Sequence, residues 1–185
     1  MNKAYKIKRN LDHVRANQDY DTWQVFQNRK EKFNDLFWRF ESIEELPPHR
    51  FEGKLKRLEW LDYPRDMLLY PIISKKMLQT LFAVEQFQNE TIPLKIYDWK
   101  SKEITNNFVF LHLLECIDVL DEEKTEFYEA SGRVSQAALK EPKGGYPPLF
   151  RVKDTGLTWF VSAEAKEALE AADIKGVSFV PLIAS

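Results

Sequence analysis

Apolar and polar positions alternate most legibly in the last third of the chain. After Ser162, Ala165, Ala168, Leu169 and Ala172 fall at i, i+3, i+4 and i+7, which is one face of a helix. Ser162 suits the N-cap, Glu164 sits where the helix dipole favours negative charge, and alanine is the best helix former, so a helix is predicted over 163–172. The same grammar precedes it. Ser74 follows apolar Met67 to Ile73, interrupted by Pro71, and Met77, Leu78, Leu81 and Phe82 then share a face, which predicts a second capped helix over 75–85. Strands ending at a serine cap are common enough that the two passages need not be a duplication.

Strand patterns fall at 93–99, 107–114, 149–153, 157–161 and 177–181. In 107–114, Phe108, Phe110 and His112 face one way and Val109, Leu111 and Leu113 the other, so this strand is expected to be central. Asp154 and Gly156 suit a tight reversal between 149–153 and 157–161. Pro181 closes the last strand at its terminus, where a missing donor costs least. Glycines and prolines over 130–148 predict irregular chain with one ordered piece at 134–139. Residues 1–60 are harder to read: Lys3–Arg9 fits an edge strand, Lys30–Glu45 a helix, and Pro47-Pro48 a boundary. These patterns together predict an α+β fold, a mixed and mainly antiparallel sheet packed by two or three helices. The expected organisation is an aromatic-rich region over 1–60 packed on a main domain over 61–185.

Composition narrows the function classes. The 27 basic and 29 acidic side chains leave a formal charge of −2, far from the excess of a dedicated nucleic-acid binder. The N-terminus carries Lys3, Lys6, Lys8 and Arg9 where a signal peptide needs an apolar run, and no apolar stretch is long enough to span a bilayer. The lone Cys116, among Leu113, Leu114 and Ile117, reads as a small buried apolar residue in a reducing compartment. A cytoplasmic location is expected, with neither nucleic acid nor membrane as partner.

Catalytic patterns are sparse. His13, His49 and His112 are widely separated and suggest no metal site, and His112 lies in an apolar strand as a core histidine would. Gly144-Gly145 lacks the context of a phosphate-binding loop, and no serine occupies a nucleophile elbow. No catalytic, cofactor-binding or metal-ligating residue is therefore assigned, and no cofactor is expected. The acidic run Asp118, Asp121, Glu122, Glu123, Glu126 and Glu129 reads first as a solvated turn and next as a surface for a basic partner. Acid–base chemistry would require two of its carboxylates in differing environments. Twenty-five aromatic residues serve the core first, although Trp23, Trp38 and Trp99 have charged neighbours and fit contact anchors.

From Asp62 onward the order of features resembles a bacterial immunity-protein family of polymorphic toxin systems. The resemblance rests on Tyr70-Pro71-Ile72-Ile73-Ser74 with its helix, Pro93 to Asp98, and Phe108 to Asp121. It continues through Leu149 to Val152, Trp159 to Ser162, Lys166 to Leu169 and Ile174 to Phe179, and covers roughly residues 62–181. It implies a protein that binds and neutralises a cognate secreted toxin inside the producing cell, with no catalytic residues to carry over. Asp118, Asp121, Glu122, Glu123 and Glu126 are then the expected partner-binding residues, and a homo-oligomer is compatible with such a role. Two other functions fit the residues: an enzyme using Asp118 and Asp121 with a metal from solution, and an adaptor subunit docking through its aromatic N-terminal region.

Overall fold

A computed structural model describes residues 3–9, 24–25, 49–52, 61–63, 72–97, 104–156 and 158–183, with 9, 24–25, 49–52 and 95–97 described by backbone alone. The expected helix over Lys30–Glu45, the boundary at Pro47-Pro48, the segment 67–71 and Trp23, Trp38 and Trp99 lie outside these residues.

The α+β class holds, but the strands divide between two five-stranded sheets and one small ribbon instead of forming a single sheet. In the first sheet β1 (Ala4–Arg9) lies between β12 (Val177–Pro181) and β11 (Trp159–Ser162), followed by β10 (Leu149–Val152) and β7 (Cys116–Ile117). The second runs β2 (Gln24–Val25), β3 (His49–Glu52), β5 (Asn89–Tyr97), β6 (Ile104–Leu113) and β4 (Ile72–Ser74). Most pairings are antiparallel; β3 with β5 and β7 with β10 are parallel. The ribbon pairs β8 (Glu126–Phe127) with β9 (Val134–Gln136).

Both capped helices form. Ser74 Oγ accepts from Met77 N–H at 3.0 Å to open α1 (Lys75–Val84), and Ser162 Oγ accepts from Ala165 N–H at 3.1 Å to open α2 (Ala163–Ala171). Each hydroxyl satisfies an amide that the first helical turn leaves without a partner. The buried stripes of the two helices, Met77, Leu78 and Leu81 on α1 and Ala165 and Leu169 on α2, enter one core. Ile7, Trp159 and Val161 reach it from the first sheet, and Ile73, Val109 and Leu111 from the second. This shared core joins the two sheets.

Two strands differ from expectation for identifiable reasons, while β6 meets it. β1 is an inner strand, not an edge: Tyr5 and Ile7 point into the shared core, while Ala4 packs on the opposite face of the sheet. Its lysines disguise this, because burial lowers the Lys6 ammonium from its usual value, with Lys8 adding to the effect. β5 begins four residues before Pro93 because Asn89, Glu90 and Thr91 pair with Leu113, His112 and Leu111 despite their polarity. Pro93 precedes the first pair between β3 and β5 among the described residues, His49 with Leu94, where a missing donor costs least. β6 is central, with six consecutive buried residues from Phe108 to Leu113.

The hairpin between β10 and β11 turns through Asp154 (φ 63°) and Gly156 (φ 67°), and the Arg151 guanidinium donates to Gly156 O at 3.0 Å. Pro181 ends the edge strand β12. At Gly176 (φ 84°) a Cβ would lie 3.0 Å from Tyr63 O and 3.2 Å from Leu61 Cδ2, so a close approach as well as the dihedral requires glycine.

Candidate partner-binding surface

Side chains on the face of the first sheet away from the helices, Ala4, Phe150, Val152 and Phe160, form a second core with Val119, Ala137 and Leu139. Residues 118–140 thus fold as a flap over that face. Backbone bonds hold the flap shut: Lys140 N–H donates to Val119 O at 2.8 Å and Asp121 N–H to Ala138 O at 2.9 Å. Buried Thr125 brackets the other strand, its hydroxyl accepting from Ala138 N–H at 3.1 Å and donating to Ala138 O at 3.3 Å. Tyr146 seals one margin by stacking on Phe150 at 5.3 Å, and its burial, assisted by Glu141, raises the phenol pKa.

The acidic candidates separate on this frame. Asp121 is 6% exposed; its carbonyl accepts from Lys124 and Thr125 N–H, and its carboxylate lies 3.8 Å from Lys124 Nζ. It shapes the turn. Asp118 is exposed and lies 3.5 Å from Lys153 Nζ. Glu122, Glu123 and Glu126 are all exposed, with Glu129 beyond them. The expectation that the whole run is solvated therefore fails at Asp121, which is buried close in sequence to buried Thr125.

Two residues here had not been singled out in the sequence. Phe127 is 44% and Tyr128 60% exposed, and with Ile104 they are the exposed large hydrophobic side chains among the described residues. Their signal was an aromatic pair inside a run of carboxylates, which fits neither a buried strand nor an ordinary solvated turn. Beyond β8 the chain reverses, with Tyr128 N–H donating to Arg133 O at 2.8 Å and Gly132 at φ 62°. Glu126 pairs with Gln136 and Phe127 with Val134, so Ser135 is the extra residue of a bulge.

Cys116 is exposed, contrary to the expectation of a buried apolar residue. β6 ends at Leu113, Leu114 and Glu115 cross between sheets, and Cys116 pairs with Arg151 at the outer edge of the first sheet. Although the residue reaches solvent, partial burial of its thiol raises its pKa; Asp154 and Asp118 reinforce this and Arg151 opposes it. His112 is 1% exposed, as a core residue. Among the described residues no group of three or more His, Cys, Asp or Glu side chains is arranged to hold a metal ion.

A family model described as the immunity protein family (Imm11) matches residues 5–184. The chain belongs to the Imm11 family of immunity proteins. The match takes in β1 from Tyr5 onward, the other strands of both sheets, the flap and both helices, so the family's sequence pattern spans nearly all of the described fold. It extends on the N-terminal side past Asp62, where the resemblance read from the sequence began. No curated protein matches the chain. Among the described residues of this Imm11 protein, no helix is long and apolar enough to cross a membrane.

Proposed function

We propose that this Imm11 protein protects the bacterium that makes it by binding a cognate protein toxin of a polymorphic toxin system in the cytoplasm. It acts as a stoichiometric inhibitor and transforms no substrate. Membership of an immunity family across residues 5–184 carries this reading. The exposed aromatic and acidic side chains of the flap support it, since aromatic anchors within a polar rim are what protein interfaces use.

A stable inhibitory complex would bury about 1,200–2,000 Å² of total surface, an area that the flap and its surroundings would have to share. Co-expression tests the reading. Cells carrying the toxin gene adjacent to this one should survive only when this protein is present, and the two purified proteins should elute together as a complex of fixed stoichiometry. Survival without a complex would instead indicate protection by turnover or by an indirect route.

A further inference from the structure

We propose that the β8–β9 ribbon is the toxin-docking surface, that Tyr128 is its anchor, and that the matching surface of the toxin is basic and arginine-rich. This assignment rests on the toxin-binding reading above and gives it a location and a partner chemistry.

The position of the aromatic pair is the first observation. Two of the three exposed large hydrophobics among the described residues are adjacent on this ribbon, and the core beneath does not need them. That core is already covered by Leu120, Val134 and Tyr146. Tyr128 follows directly on β8, two positions after Glu126 and one before Glu129, while Phe127 pairs with Val134. An aromatic ring beside a carboxylate is a receptor for guanidinium, which can stack on the ring while donating to the acid.

Charge is the second observation. Residues 118–133 hold six carboxylates and two cations, a net −4 in a chain whose total is −2. Asp118 and Asp121 face Lys153 and Lys124, whereas among the described residues no ion pair engages Glu122, Glu123, Glu126 or Glu129. Those four carboxylates surround the aromatic pair in sequence and leave a local negative field that attracts a cationic partner. The Thr125 bracket and the Tyr128–Arg133 bond fix the ribbon before the partner arrives, which limits the ordering cost of association.

The experiment uses the full chain and the toxin domain encoded by the adjacent gene, with affinity and association rate measured by surface plasmon resonance. Tyr128→Ala should weaken binding by about 30-fold or more, as loss of an interface anchor does. Tyr128→Phe should retain most of the affinity. The triple variant Glu122→Lys, Glu123→Lys, Glu126→Lys should slow association by about tenfold or more at low salt, a difference that about 0.5 M NaCl should shrink. Glu85→Lys, at the end of α1, serves as the surface control and should bind as wild type does. If wild type protects and binds while Tyr128→Ala and the triple variant bind within about twofold of it, the ribbon assignment is wrong and the immunity reading stands. If wild type neither protects nor binds, both fall. Circular dichroism confirms that each variant is folded.

Discussion

The two carboxylate oxygens of Asp62 join Ser74 to Lys175. Oδ1 accepts from Ser74 Oγ at 2.5 Å and Oδ2 from Lys175 N–H at 2.8 Å, while the Asp62 amide donates to Lys175 O at 2.9 Å. One residue thus ties the cap of α1, at the edge of the second sheet, to the turn leading into β12 of the first. Asp62→Ala removes both acceptors and leaves a part-buried hydroxyl and amide without them. Unfolding free energy in urea should fall by about 2–3 kcal/mol. A loss under about 0.5 kcal/mol would mean that solvent replaces the bonds without cost.

The two serine caps should respond unequally. Ser162→Ala loses a single cap bond in a buried setting and should cost about 1 kcal/mol. Ser74→Ala loses its cap bond and the donation to Asp62, so its cost should be larger. In a double-mutant cycle Ser74→Ala and Asp62→Ala should be markedly non-additive, whereas Ser162→Ala and Asp62→Ala should add. Additivity in the first pair would separate the cap from the clamp.

Gly176→Ala and Gly156→Ala place a Cβ on residues of similarly positive φ, 84° and 67°. At Gly156 nothing lies within 4 Å, so only the dihedral penalty of about 1–2 kcal/mol applies. At Gly176 the Tyr63 carbonyl at 3.0 Å must also move, and that carbonyl adjoins Asp62. Thermal unfolding should show the larger drop for Gly176→Ala, and equal drops would locate the whole effect in the backbone dihedral.

The Cys116 thiol supplies a pH test. Its folded-state pKa is raised above the ordinary thiol value by burial, against the opposing Arg151 guanidinium. Between the ordinary value and the raised one, the native state retains a proton that the unfolded chain has released. The linkage sign therefore makes this group's contribution to stability fall as pH rises through that window. Alkylation by iodoacetamide should be slower than for a free thiol at pH 8 and should still be accelerating at pH 9. A rate plateau below pH 9 would contradict the raised pKa.

Features whose cause is local were legible in the sequence. Ser74 and Ser162 with their apolar stripes, the Asp154 and Gly156 turn, and the doubly apolar strand from Phe108 to Leu113 each specify a conformation within a few residues. Features set by distant partners were not. Nothing local to Ala4–Arg9 announces that strands from the far end of the chain flank it, and nothing around Cys116 indicates that the chain crosses from one sheet to the other there. The ribbon was partly legible. Its acids stood out as a run, but separating inward Asp121 and Thr125 from outward Glu122, Glu123 and Glu126 required knowing where Ala138 lies.

The insertion of β1 between β11 and β12 also bears on synthesis. The Ser178 hydroxyl donates to Lys8 O across 170 positions, so β1 emerges from the ribosome long before either flanking strand exists. Until translation has passed Ser162 the nascent chain exposes both hydrogen-bonding margins of β1, and until it has passed Pro181 it exposes the second, so the first sheet cannot close earlier. Such a polypeptide acquires the native pairing of β1 only once β12 has been synthesised, so a ribosome that stalls before Val177 leaves one margin of that strand open.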